Sequence, residues 1–114
     1  MCTIIGYKSL KISKDTIQKA LESTYSRGPD DERIQIVGCG YLGFQRLSIM
    51  GLSPEGMQPF NRNGNSVVCN GEIYGFRKLK EELEKDGYTF ISQSDCEILL
   101  PLYEKYGLDM FKKL

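Results

Sequence analysis

The chain of 114 residues holds 15 Lys and Arg against 15 Asp and Glu, with no histidine and no tryptophan. The missing imidazole excludes a Ser-His or Cys-His nucleophile pair, a histidine general base and a Cys/His zinc finger. Balanced charge argues against a nucleic-acid partner, which needs a basic excess, and no apolar run approaches the about 20 residues that span a bilayer.

The N-terminus lacks the basic and long apolar regions of a secretory signal, so the chain reads as cytoplasmic. Cys2, Cys39, Cys69 and Cys96 lie far apart without C-x-x-C pairing. They read as free thiols in a reducing compartment, with no metal site expected.

In chain order, Thr3 to Tyr7 is an apolar run of strand formers. Ser13 is placed to cap a helix that carries Ile17, Ala20, Leu21, Thr24 and Tyr25 at helical spacing, and Arg27-Gly28-Pro29-Asp30-Asp31 ends it. Ile34 to Val37 and Tyr41 to Ile49 read as strands joined through Gly38-Cys39-Gly40. Residues 51 to 59, with Gly51, Pro54, Gly56 and Pro59, read as a loop.

Asn63-Gly64 marks a hairpin between Phe60 to Arg62 and Ser66 to Cys69. A helix follows with Phe76, Leu79 and Leu83 on one face, Lys78/Glu82 and Glu81/Lys85 as exposed pairs, and Gly87 at its end. Tyr88 to Ile91 reads as a short strand. Ser94 and Glu97 have capping-box spacing at the head of a long helix carrying Ile98, Leu99, Leu102, Tyr103 and Tyr106. Pro101 should kink that helix at a cost of about 3 kcal/mol. Gly107 closes it, and Leu108 to Leu114 starts a further amphipathic turn. A hairpin mixed with strand–helix crossings makes the expected class α+β.

Four places carry potential chemistry. If Met1 is removed, Cys2 unites a thiol with an α-amine of reference pKa about 8, a base that needs no histidine; the plainer reading is a small residue at a strand start. Asn70-Gly71 can set a side-chain amide beside a backbone N–H as an oxyanion hole, or can simply be a turn. Arg46, flanked by apolar residues, matches a bound carboxylate, or pairs with an acid at a strand edge. Asp95 can hold an ammonium group, or merely favour a helix start. As a set, these residues suit an amino-acid amide such as glutamine.

Met1-Cys2, Arg27-Gly28-Pro29-Asp30, Arg46-Leu47-Ser48-Ile49, Gln58-Pro59, Asn70-Gly71-Glu72-Ile73-Tyr74 and Ser94-Asp95-Cys96-Glu97 occur in that order. Together they resemble the class II glutamine amidotransferase domain of the asparagine synthetase type. Residues 1 to 114 resemble the N-terminal part of that domain, with the synthetase domain absent. The resemblance implies an N-terminal-nucleophile hydrolase, an αββα sandwich that is incomplete in this span.

It further implies hydrolysis of glutamine to glutamate and ammonia through a Cys2 thioester, the ammonia normally going to asparagine. Asn70 and Gly71 would hold the oxyanion. Arg46 would take the α-carboxylate, and Asp95 with Glu72 the α-ammonium. Leu47, Ser48, Ile49 and Met50 would line the pocket. Glutamine is the implied partner, and no cofactor is expected in this chain, ATP and magnesium belonging to the synthetase domain. The alternative is a non-catalytic fragment that binds glutamine weakly or self-associates, a homodimer being one way to complete its sheets. Ser26 stands at the usual histidine before Arg27-Gly28-Pro29-Asp30, Phe44-Gln45 replaces a stretch before Arg46 that often contains histidine, and Pro101 interrupts a helix that the family leaves free of proline.

Overall fold

The computed structural model describes residues 2–48 and 53–114. The fold is α+β. Strands β1 (Thr3–Tyr7), β2 (Asp31–Val37) and β3 (Gly40–Arg46) form an antiparallel sheet in the order β1-β3-β2. The central strand β3 is buried along nearly its whole length. Its register pairs Gln45 with Thr3 on one side and Arg46 with Asp31 on the other. The expected strand from Tyr41 to Ile49 therefore ends at Arg46, and Ile49 lies outside the described residues.

Helix α1 (Lys14–Glu22) begins where Ser13 Oγ accepts the Thr16 N–H at 3.3 Å. Its Ile17 and Leu21 are sealed from solvent, and the helix packs on β3. Gly43 makes that approach close: a Cβ there would stand 2.5 Å from Ile5 Cγ2 and 2.8 Å from Leu21 Cδ1. Ala20 and Tyr25 do not join the buried face. The α-helix stops at Glu22, Thr24 Oγ1 donates to the Leu21 carbonyl at 2.9 Å, and Tyr25–Arg27 forms a 3-10 turn that swings Tyr25 into solvent. A polar chain crosses beneath this turn: the one Thr24 hydroxyl proton is shared between the Leu21 carbonyl and Gln45 Oε1 at 3.0 Å, and Gln45 Nε2 donates to Glu32 Oε2 at 2.6 Å. The fully buried Gln45 amide is thereby satisfied.

Strands β4 (Phe60–Arg62) and β5 (Asn65–Val67) form the expected hairpin, shortened so that β5 ends at Val67. Asn63 and Gly64 both adopt positive φ, 47° and 80°, as a tight two-residue turn requires. The hairpin meets the first sheet through a reciprocal amide pair, Gln35 Nε2 to Asn61 Oδ1 at 2.6 Å and Asn61 Nδ2 to Gln35 Oε1 at 2.9 Å.

Helix α2 (Phe76–Lys85) buries Phe76 and Leu83, half-buries Leu79 and closes before Gly87. Among the described residues, the exposed Lys78/Glu82 and Glu81/Lys85 pairs form no ion pair. Helix α3 (Leu99–Tyr106) carries Glu104, which accepts from Arg62 Nε at 2.9 Å and from Asn63 Nδ2 at 2.7 Å, tying the hairpin tip to α3. Phe60, Phe76, Leu83, Ile98, Leu102 and Met110 belong to the core shared by the hairpin and these helices.

Four expectations between Tyr88 and Pro101 are corrected. Tyr88 to Ile91 is not a strand. The Ile91 and Ser92 N–H groups are taken by the Glu97 carboxylate at 2.7 and 2.8 Å, so this side chain replaces a strand partner at those donors. Glu97 is then unavailable for a capping box, and Ser94 makes no side-chain cap. The expected long helix is divided into a 3-10 turn, Asp95–Ile98, and α3. Pro101 falls within the first turn of α3, where its missing N–H removes no α-helical bond, so no mid-helix kink arises. Among the described residues, no helix is long and apolar enough to cross a membrane.

Leu21→Ala empties a fully buried site and is expected to cost about 2–5 kcal/mol in urea unfolding. Tyr25→Ala, at 60% exposure, is expected to stay within about 0.5 kcal/mol. Equal effects at both positions would contradict this packing.

Candidate functional site

Cys2 enters β1 beside the point where β3 leaves the sheet. The Leu47 N–H donates to Cys2 Sγ at 3.3 Å, and the Leu47 carbonyl lies 3.7 Å from the sulfur. The Gly28-Pro29-Asp30 turn braces this exit. Asp30 N–H donates to the Arg46 carbonyl at 2.9 Å, and the Asp30 carboxylate accepts the Ser48 N–H at 2.7 Å. Gly28 allows the approach, because a Cβ there would stand 2.6 Å from the Gln45 carbonyl carbon and oxygen. A run that the sequence presents as a helix terminator thus also holds the backbone beside the thiol.

Arg46 is the last residue of β3 and is 5% exposed. Its Nη1 donates to the Ser53 carbonyl at 2.9 Å, while Nη2 is covered and has no partner among the described residues. A buried guanidinium with an open donor favours an incoming carboxylate, which accepts in the same planar geometry.

The segment between β5 and α2 supplies Asn70, Gly71 and Glu72, all exposed to solvent. It is gripped at both ends. Gln58, 4% exposed, accepts the Cys69 N–H on Oε1 at 2.6 Å and donates Nε2 to the Cys69 carbonyl at 3.2 Å. Asp95, 5% exposed, accepts the Ile73 N–H on Oδ2 at 2.6 Å. That bond occupies Oδ2, and the carboxylate also faces the Cys96 thiol.

Cys2, Arg46, Leu47, Asn70, Gly71, Glu72 and Asp95 line one cavity of about 110 Å³. Ser48, expected at the pocket, is not among its lining residues, since its N–H is turned to Asp30. Ile49 and Met50 lie outside the described residues. Larger hollows exist, such as one of about 430 Å³ beside Phe60 and Pro101, but they do not contain Cys2. Chemistry rather than size singles out the Cys2 cavity. Among the described residues, no group of His, Cys, Asp and Glu is arranged to hold a metal ion.

Gln58 is the contributor that sequence reasoning missed. It sits in a stretch legible only as loop, and its sole signal was the Gln58-Pro59 pair within the resemblance. Its backbone-like pairing with Cys69 depends on tertiary approach.

The whole chain, residues 1–114, matches the family model described as a glutamine amidotransferase domain, and the chain belongs to that family. It is similar to a probable glutamine-hydrolysing asparagine synthetase of Acanthamoeba polyphaga mimivirus, 41% identical over 117 residues that cover 96% of this chain and 21% of that protein. Asparagine synthetase [glutamine-hydrolyzing] 2 of Bacillus subtilis is 39% identical over 116 residues, covering 95% and 15% of the two chains. The amidase chyE of Penicillium rubens is 40% identical over 103 residues, covering 88% and 15%. The chain thus spans between 15% and 21% of the length of these relatives.

Gln58→Leu strips both hydrogen bonds from the Cys69 backbone and is expected to cost about 1–3 kcal/mol. The Cys69 amide should also exchange faster with solvent deuterium. Unchanged exchange at Cys69 would show that Gln58 does not hold this segment.

Proposed function

We propose that this domain hydrolyses glutamine to glutamate and ammonia. The observation that carries the reading is the buried Arg46 guanidinium, with an unpartnered Nη2, in the same cavity as the Cys2 thiol. Arg46 takes the substrate α-carboxylate. Asp95, with Glu72, takes the α-ammonium at the other side of the cavity.

With Met1 removed, the Cys2 α-amine accepts the thiol proton as Sγ attacks the side-chain amide carbon. Asn70 Nδ2 and the Gly71 N–H hold the oxyanion. Collapse of that intermediate breaks the C–N bond, and the amine returns the proton to departing ammonia. Water then cleaves the thioester to glutamate. The Leu47 N–H, 3.3 Å from Sγ, orients the sulfur. None of these steps needs imidazole, in keeping with a chain that has no histidine.

The two sheets would form the facing layers of an αββα sandwich, a reading supported by the Gln35–Asn61 pair that links them. The four free cysteines support a reducing, cytoplasmic setting. Transfer of the ammonia to aspartate, with ATP and magnesium, would belong to sequence outside this match. An alternative reading, a chain that binds glutamine or a second copy without turnover, is favoured by one feature. An apolar groove of about 570 Å³ beside β5 is lined by Val67, Leu99, Met110, Phe111 and Leu114.

Ammonia release from glutamine by Met1-free protein separates the readings. Asn70→Ala should lower kcat by about 10²–10³-fold. Arg46→Lys should raise KM by about tenfold or more, as expected for loss of a charge-assisted hydrogen bond worth about 1.5–3 kcal/mol. Glutamine binding by calorimetry without ammonia release would favour the binding-only alternative.

A further inference from the structure

Two thiols that the proposed reaction does not use share the cavity with Cys2. Cys69 is half-buried at the end of the hairpin, and Cys96, 3% exposed, lies in the 3-10 turn before α3. They meet around Gly71. Cys96 Sγ lies 3.8 Å from the Gly71 carbonyl, and Cys69 Sγ lies 4.0 Å from the point where a Cβ on Gly71 would stand. The two thiols are near enough that each shifts the other's proton affinity. Both residues line the cavity that Cys2 lines. Cys39, by contrast, is exposed in the turn between β2 and β3, far along the sheet from this cavity.

We propose that Cys69 and Cys96 form a redox-active dithiol in which Cys69 is the sulfur oxidised by hydroperoxides and Cys96 the thiol that resolves it. The Cys69 thiolate attacks one oxygen of hydrogen peroxide; the O–O bond breaks, hydroxide leaves and a sulfenic acid forms. The Cys96 sulfur then attacks the sulfenic sulfur. An S–S bond forms, the S–O bond breaks, and the hydroxyl departs with the Cys96 proton as water. The peroxide gains two electrons and the thiol pair loses two.

The electrostatics divide the roles in the same way. The hydrogen bond from Cys96 lowers the Cys69 thiol to about 7, against burial and the Asp95 carboxylate, which raise it. Donation of that bond and burial push the Cys96 thiol far up, so it keeps its proton. A thiolate at neutral pH beside a protonated partner is the arrangement that peroxide attack followed by resolution requires.

The bond would tie the residue before Asn70 to the residue after Asp95. It would also draw the Cys96 thiol off the Gly71 carbonyl. The dithiol stands whether or not the domain hydrolyses glutamine, because its chemistry uses neither Cys2 nor substrate.

The test is peroxide treatment of the wild-type protein at neutral pH, then alkylation and peptide mapping without reductant. The expected product joins the Cys69 and Cys96 peptides, is lighter by two hydrogens and is reversed by dithiothreitol. Cys96→Ser should leave Cys69 as a sulfenic acid trapped by a cyclic 1,3-diketone. The wild-type map decides the matter even if that variant fails to fold. Recovery of Cys69 and Cys96 as alkylated thiols after treatment, or their linkage to other cysteines, would overturn the proposal.

Discussion

The cavity depends on how β3 ends. Arg46 is still paired to Asp31 in the sheet, while Leu47 already presents its N–H to Cys2 Sγ at 3.3 Å. One peptide step therefore fixes a buried guanidinium and a thiol in the same hollow. Neither residue could hold that relation alone, since an arginine side chain is long and a near-terminal cysteine has few neighbours. The Asp30 bonds to Arg46 and Ser48, reached through Gly28, stop the strand end from swinging away. The sheet pairing of β1 with β3 then brings Cys2 to meet it.

The opposite wall is built by a different device. Residues 70–72 belong to no helix or strand, so their backbone has no ladder to define it. Gln58 holds one end by mimicking a strand partner at Cys69, and Asp95 holds the other through Ile73. Rigid side-chain clamps on a loop are a way to aim backbone donors and side-chain amides at a reacting centre without reorganisation. In the proposed reaction Asp95 would have a double duty, supporting the wall through Oδ2 and holding the substrate ammonium.

What could be read from the residues, and what could not, follows from the range of the forces. The turn at Asn63-Gly64, the start of α1 after Ser13 and the end of α2 before Gly87 are set by local turn chemistry and periodicity and formed where expected, whereas α1 stops at Glu22 and β5 at Val67, short of the expected spans. The Tyr88 to Ile91 strand did not form, because Glu97 competes for its backbone donors, and a carboxylate several residues away leaves no trace in a strand pattern. The same bonds cancelled the capping box. Cys2, Arg46, Asn70, Gly71 and Asp95 were legible as chemically unusual residues in a recognisable order, and the cavity brings them together. Gln58 and the Cys69–Cys96 pairing were not, since their partners meet only through the packed fold.

The central claim is that the Cys2 sulfur is a nucleophile aimed at a glutamine-shaped ligand. The most direct measurement is covalent labelling of Met1-free protein with a diazo-ketone analogue of glutamine, followed by peptide mapping. A single adduct on Cys2 is expected, one that glutamine protects against and that Cys2→Ala abolishes. An adduct that persists in Cys2→Ala, or none in a folded sample whose mass shows Met1 gone, would contradict it.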